Sequence, residues 1–394
     1  LIETINVKSW ITQEEACQVL GVRKQTLYAY VSRGQIEVRW DPDHASRKLY
    51  RESDVAALLK KRTLGRARKN IAASTMAWGE PIINTRISTI VRGRLYYRGK
   101  NAIDLASCLT LEEVAQLLWD AAEPPRFPIC EPVLNVGPLR ARAYAAIGLA
   151  AAEGDSARTL DVDSMRQEAQ KLVGMLASSF VTLASAEEPL HLRIARAWHC
   201  ERYADLLRRA LVLLADQELT SSTFAARVAA STGASLGACA LAGLATLSGP
   251  LHGDAMVRVQ ALTDDARQFG VEAAVKRWRS AGKALPGFGH ELYPQGDPRA
   301  VNLLGAFEPA EDTRKLIDHI GRETGLRPSI DIALTALAEH CQLPEGAAFS
   351  IFAIGRSVGW MAHSIEQSAS RSLLRPRANY VGPPIIGEGK SEDD

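Results

Sequence analysis

Apolar positions recur at helical spacing along most of this chain, and where the period breaks the residues are turn formers. Thr12 stands before Glu14 and Glu15 and reads as the N-cap of a short helix running to Leu20. Gly21-Val22 makes a tight turn. A second helix is expected from Arg23 to about Ser32, with Gly34 placed as a C′ residue. Residues 35–50 alternate irregularly through Trp40, Asp41-Pro42 and Arg47-Lys48-Leu49-Tyr50, the pattern of a two-stranded wing, and 52–62 is a last short helix. Beyond about Gly79 one β-like stretch, 87–97, leads into helical periodicity over 111–119, 165–183, 194–216 and 224–242, continuing nearly to Ser370. Strand signals are scarce, so the expected fold is mainly all-α. The stretch 234–251 is apolar, but it consists of Ala, Gly, Ser and Leu between polar segments. It reads as a packed core helix rather than a membrane span.

Composition narrows this picture. The 394 residues suggest two or three domains, and 46% apolar with 23% charged residues is an ordinary globular balance. A net charge of +2 excludes a nucleic-acid coat, yet residues 1–70 hold 14 Lys/Arg against 8 Asp/Glu, a basic head on a mildly acidic body. The six cysteines are scattered without a C-x-x-C pair, and no secretory pattern opens the chain. A reduced, cytoplasmic protein without a zinc site is therefore expected. His44, His191, His199, His319 and His340 show no ligand spacing, so no metal is expected.

The segment "TQEEACQVLGVRKQTLYAY", residues 12–30, resembles the helix-turn-helix of the MerR and excisionase families, and the likeness continues through "VSRGQI" and "RESDVAALLKKR". A helix opening with Arg23, Lys24, Gln25 and Thr26 can offer donors to phosphates and base edges in a major groove. Tyr28 would touch the DNA backbone or pack inward, and Arg47 and Lys48 on the wing would reach neighbouring phosphates. The plainer alternative is a packing domain with a solvated charged face.

The body carries "SGPLHGDA" around His252, "LPGFGHELYPQGDPRA" around His290, "PSIDIALTALA" around Asp331 and "GRSVGWMAHSIEQ" around Arg356. "LLRPRANYVGP" follows at Arg375, and "GRLYYRGKNAIDLASCLTLEEVAQLLW" lies upstream. In this order and spacing the chain from about Gly79 to Pro383 is similar to the citrate synthase family. Removing a proton from the methyl group of a thioester requires a base near the carbon and a donor for the enolate oxygen. A second donor must polarise the acceptor's keto group, and its carboxylates call for arginines. The resemblance implies that Asp331 is the base, that neutral His252 bonds the enolate oxygen, and that His290 polarises the 2-oxo acid carbonyl. Arg299, Arg356 and Arg375 would bind the substrate carboxylates, Arg375 in the partner subunit's site of a homodimer. Backbone of Leu285, Pro286, Gly287, Phe288 and Gly289 would line the nucleotide end of CoA. The CoA thioester is a substrate, and no other cofactor is implied.

Taken singly, each residue has a plainer reading: a turn histidine, a helix-capping aspartate, a solvated arginine. For His363 and Glu366, on one helical face near Arg356, structural hydrogen bonding is expected. The implied organisation is a helix-turn-helix domain over 1–63, a basic linker over 64–78, a large helical domain over 79–253 and 339–394, and a small one over 254–338 that closes over substrate. The chain departs from the family at four places. "LLADQE" replaces "LHADHE", putting Leu214 where a histidine helps bind oxaloacetate and Gln217 at the second histidine. Pro294 stands where a basic residue meets CoA phosphate, and Ile332-Ala333-Leu334-Thr335 replaces the usual residues after the catalytic aspartate. The region between Trp119 and Leu211 is shorter than in ordinary family members. The expected function is condensation of acetyl-CoA, or another short acyl-CoA, with oxaloacetate or a related 2-oxo acid. A DNA-binding regulator whose body senses a metabolite is the second reading.

Overall fold

A computed structural model describes residues 10–59 except 43 and 45, 83–378 except 185 and 283, and residues 380, 382 and 383. The expected linker over 64–78, the boundary at 79 and residues 384–394 lie outside the described residues. The chain divides into two compact units, Leu1–Asn84 with Arg377–Asp394, and Thr85–Pro376.

In the first unit, strand β1 (Trp10–Thr12) leads into helix α1 (Gln13–Leu20). Thr12 Oγ1 accepts the Glu15 N–H at 3.3 Å and Glu15 Oε2 accepts the Thr12 N–H at 2.7 Å, a reciprocal capping box. Gly21, at φ 63°, ends α1 in the left-handed conformation that only glycine takes without strain. Helix α2 (Lys24–Ser32) follows, then β2 (Val38–Trp40), β3 (Lys48–Arg51) and α3 (52–59). The wing is three-stranded rather than two-stranded, because β1 pairs with the free edge of β3 in the order β1-β3-β2. Three residues are too few to show a period of two in the sequence. Ile11, Ala16, Leu20, Leu27, Ile36, Tyr50 and Val55 close the small core, drawing on the sheet and all three helices.

The second unit opens with a hairpin, β4 (Ser88–Val91) and β5 (Arg94–Tyr97), extended by β6 (Lys100–Asn101). The stretch expected as one strand is therefore folded back on itself. Arg92 and Gly93, at φ 50° and 71°, make the turn, whose twist matches that of the paired strands. Helices α4 (Ala102–Cys108), α5 (Leu111–Trp119), α6 (Leu139–Glu153) and α7 (Val162–Phe180) follow. The period over 194–216 is carried by two helices, α8 (Leu190–Ala197) and α9 (Ala204–Leu214), parted at His199, whose φ is 53°. That over 224–242 is likewise split at Gly233, φ 87°, into α10 (Ser221–Ser231) and α11 (Leu236–Leu247). Among the described residues no helix is long and apolar enough to cross a membrane.

Helices α12 (Ala255–Phe269), α13 (Val271–Ser280), α14 (Pro298–Leu304), α15 (Glu311–Thr324) and α16 (Ile330–His340) precede the long α17 (Ala347–Ser370). Helix α17 is buried along nearly its whole length and packs on α5, α7, α9, α10 and α11. A Cβ at Gly359 would lie 2.4 Å from both the Ala215 carbonyl and Asp216 Oδ1, so only glycine lets α17 approach the segment after α9 this closely. A second apolar cluster joins Val259, Leu262, Ala274, Val275, Leu316 and Ile320 to Leu285, Phe288 and Ile332. Most of it lies in the region of α12, α13 and α15, with Ile332 from α16, whose Ile330, Ala333, Leu334 and Leu337 belong to the main core around α17.

Candidate active site

Three segments and the buried face of α17 bring the candidate residues together. His252 sits in the turn between α11 and α12, where its N–H meets the Gly249 carbonyl at 2.9 Å. Arg140 ion-pairs with Asp254 beside it. Ser222 Oγ, in the first turn of α10, lies 2.8 Å from His252 Nε2 and receives the Trp360 indole N–H at 3.2 Å. A hydroxyl proton directed to Nε2 leaves the proton of neutral His252 on Nδ1.

His290 follows the 285–289 loop. Gly289 N–H donates to the Arg327 carbonyl and the Gly287 carbonyl accepts from Ser329 N–H, both at 2.8 Å. These bonds tie the loop to the start of α16, where Asp331 lies in the first turn with Ser329 Oγ donating to its Oδ2 at 2.9 Å. The side chains of Leu285 and Phe288 are buried in the second core, so what this loop can present outward is chiefly backbone. Gly287 has φ 82°, and a Cβ there would stand 3.0 Å from the Ile332 and Val259 side chains. Asp297 takes Arg299 Nε at 2.9 Å and Nη2 at 2.8 Å in a fork, and also accepts the Ile330 N–H at 3.0 Å. One carboxylate thus holds the guanidinium and the residue before Asp331 in register.

Arg356, on α17, is fully buried. Its Nε donates to the Leu214 carbonyl at 2.9 Å and its Nη1 to Thr220 Oγ1 at 3.2 Å, while Nη2 has no hydrogen-bond partner among the described residues. A buried guanidinium with an unused donor suits a carboxylate. Burial, helped by Arg356 and Arg299, lowers the His252 pKa to about 3; burial and Arg299 lower that of His290 to about 4. Both are neutral imidazoles at pH 7. Burial raises the Asp331 carboxyl above its ordinary value, strengthening it as a base. Burial lowers Arg356 to about 10, still charged at neutral pH. The influence of Arg299 is felt at His252, His290, Asp331 and Arg356, so five of the six expected residues share one neighbourhood.

Arg375 does not join them within the chain. It lies exposed in the extended segment beyond α17, and no contact among the described residues links it to the other five. The sequence change at the family's histidine pair also falls differently. The Leu214 side chain is in the main core at the end of α9 and only its carbonyl reaches Arg356, whereas Gln217 lies between His290 and Arg299. His363 and Glu366 make structural bonds. Arg227 Nη1 donates to His363 Nδ1 at 2.9 Å and to Glu366 at 2.7 Å, and His363 Nε2 faces Asp216 Oδ2 at 3.2 Å. Burial pushes Asp216 up, but His363, Arg356 and Ser88 outweigh it and hold the carboxyl below its ordinary value. Ser222 and Asp297 were not picked out as site partners from sequence, since polar positions in helical or turn segments carry no mark of what they touch; Gln217 was named there only as standing at the family's second histidine.

In the first unit, Arg23, Lys24, Gln25, Tyr28, Arg47 and Lys48 are exposed and Thr26 is half-buried. Tyr28 Oη accepts from Gln13 Nε2, and Lys48 lies over the Trp40 ring at 5.0 Å.

Comparison with known proteins gives the arrangement its relatives. A family model described as the citrate synthase C-terminal domain matches residues 144–377, and one described as a helix-turn-helix domain matches residues 10–63. Citrate synthase 2 of Bacillus subtilis is 28% identical over 75% of this chain and 92% of its own length. Citrate synthase of Haloferax volcanii is 34% identical over 52% of this chain and 55% of its own. The crystal structure of Thermotoga maritima citrate synthase is similar with a TM-score of 0.65 and 26% identity, over 80% of this chain and 98% of that one. The Thermoplasma acidophilum enzyme, in a ternary complex with carboxymethyl coenzyme A and oxaloacetate, is similar with a TM-score of 0.69 and 25% identity, again over 80% and 98%. Through its mainly helical body the chain belongs to the citrate synthase family.

Proposed function

We propose that the body condenses acetyl-CoA, or another short acyl-CoA, with oxaloacetate or a related 2-oxo acid, giving citrate or a homologue and free CoA. The observation that carries this reading is the convergence of two neutral histidines, a carboxyl with raised pKa and two buried arginines, one with an unused donor. Asp331 takes a proton from the carbon beside the thioester carbonyl, and the C–H electron pair moves into the enolate. The Nδ1–H of His252 bonds the enolate oxygen without transferring a full charge to a histidine already neutral. The enolate carbon attacks the keto carbon, forming the new C–C bond, and the keto π electrons settle on oxygen beside His290. The alkoxide takes up a proton as Asp331 releases its own; water then adds to the thioester carbonyl carbon, the C–S bond breaks, and the departing thiolate takes the proton that the water gives up, yielding CoA. Arg299 and Arg356 hold the acceptor's carboxylates, and Arg375 of a second copy completes the set in a homodimer. The backbone of 285–289 meets CoA.

Thiol release from acetyl-CoA and propionyl-CoA, each with oxaloacetate, tests this directly. Release should need both substrates and fall by about a thousandfold or more in Asp331→Asn, the scale of a lost general base. Absence of release with every pair would sink the condensing reading.

The exposed basic start of α2 in a helix-turn-helix unit favours a second activity, DNA binding by the N-terminal domain. If the body only senses a metabolite, DNA affinity will respond to citrate or CoA in the complete absence of turnover.

A further inference from the structure

The turn that carries His252 joins two packed regions. Leu139 of α6 and Phe349 of α17 pack in the main core, whereas Val259, Leu262 and Ala266 of α12 pack in the second. The Gly249 carbonyl shapes the turn by accepting the His252 N–H at 2.9 Å and the Asp254 N–H at 3.3 Å. A Cβ at Gly253 would stand 2.8 Å from the Leu247 carbonyl oxygen, so the turn has no slack on that side. Asp254 is the N-cap of α12, yet its carboxylate makes no capping bond. Arg140 stands in the first turn of α6, where the helix dipole disfavours a cation. Each group forgoes its local preference, and the two meet in an ion pair. The Arg140 guanidinium also lies 4.3 Å from the centre of the Phe349 ring, one helical turn before Phe352, whose ring stands edge-on to His252 at 5.9 Å. With side chains 36% and 24% exposed, Arg140 and Asp254 add little to stability by pairing. Local rules broken without a gain in stability point to a role in the site.

We propose that Arg140 and Asp254 form a strut that positions His252, fixing where its Nδ1–H points as the enolate forms. Both are positioning residues, acting through the turn and not on the reacting atoms. This deepens the condensing reading and rests on it. Ser222 and Phe352 hold the imidazole ring; the strut holds the backbone from which that ring projects. Charge on the enolate oxygen develops only toward the transition state. A donor displaced by a fraction of an ångström therefore lowers the rate without loosening ground-state binding.

Asp254→Asn removes the ion pair while keeping a residue that caps helices as well as aspartate does. Arg140→Gln removes it from the other side, and Arg140→Lys keeps the charge. The readouts on the full chain are kcat and KM for acetyl-CoA and oxaloacetate, followed by thiol release, and the thermal midpoint. Expected for Asp254→Asn and for Arg140→Gln is a kcat lowered about tenfold with KM for oxaloacetate within about twofold of wild type. The thermal midpoint should stay within about 2 °C, as befits so accessible a pair. The double variant should be no slower than either single one, because both changes remove the same contact. Arg140→Lys should bring kcat back to within about threefold of wild type, the charge being kept and only the fork lost. A wild-type kcat in the folded single variants overturns the inference alone. So do additive losses in the double variant, or a loss of kcat matched by a falling midpoint. Wild-type protein that releases no thiol with any substrate pair overturns it together with the reading beneath it.

Discussion

Ser222 Oγ sits 2.8 Å from His252 Nε2, joining the first turn of α10 to the turn before α12. The same hydroxyl accepts the Trp360 indole N–H, and a proton it donates to Nε2 holds the histidine in its Nδ1–H tautomer. Ser222→Ala should lower kcat about tenfold with little change in either KM, since the enolate donor is then free to take the wrong tautomer. Steady-state kinetics with both substrates varied would check this, and a wild-type kcat would remove Ser222 from the mechanism.

Arg356 offers its spare Nη2 from inside the core of α17. Arg356→Lys shortens the side chain and removes the fork, so KM for the 2-oxo acid should rise by about tenfold or more. The acyl-CoA KM should move far less. Equal changes in both would point to collapse of the site.

Both site histidines make the protein sensitive to acid. Their folded pKa values, about 3 for His252 and about 4 for His290, lie below the ordinary 6.5. Between those values and 6.5 the unfolded chain binds protons that the folded chain refuses. Stability is therefore fully present above pH 6.5 and falls as pH drops toward 4, by at most about 1.4 kcal/mol per pH unit for each histidine. Urea unfolding at pH 6.5, 5.5 and 4.5 should show the decline, and His252→Gln should flatten it.

In the first unit, Arg23 and Lys24 stand exposed where α2 begins. Replacing both with alanine should weaken DNA binding across all sequences. The salt dependence should become shallower, its slope falling by about one for each phosphate that is no longer neutralised. Fluorescence anisotropy over a salt series would measure it. An unchanged slope would leave the domain as a packing module.

Local chemistry alone marked much of this protein. Thr12 with Glu15 announces the start of α1, and the apolar period over 111–119 coincides with α5, Leu111–Trp119. The motifs around His252, His290, Asp331, Arg299 and Arg356 were legible because each residue sits in an uninterrupted string of neighbours. The breaks at His199 and Gly233 were not legible, because the apolar face resumes in phase after each and the period runs through the turn. Nor was the hairpin at Arg92-Gly93, whose strands are only four residues each.

Partnership across the fold belonged to the tertiary structure alone. Gln217 meets His290 and Arg299 at separations of 73 and 82 residues, and Ser222 meets Trp360 at 138. Periodicity reports which side of a helix is buried but not which helix covers it, and a polar residue in a string does not reveal its acceptor. Asp297 could be read as the cap of a short helix; only packing showed that the same carboxylate also grips Arg299 and the backbone beside Asp331. The sequence by itself determined the helical class, the helix-turn-helix head and the candidate reactive groups. The close approach of α17 at Gly359, and the burial that neutralises two histidines, decided how those groups face one another.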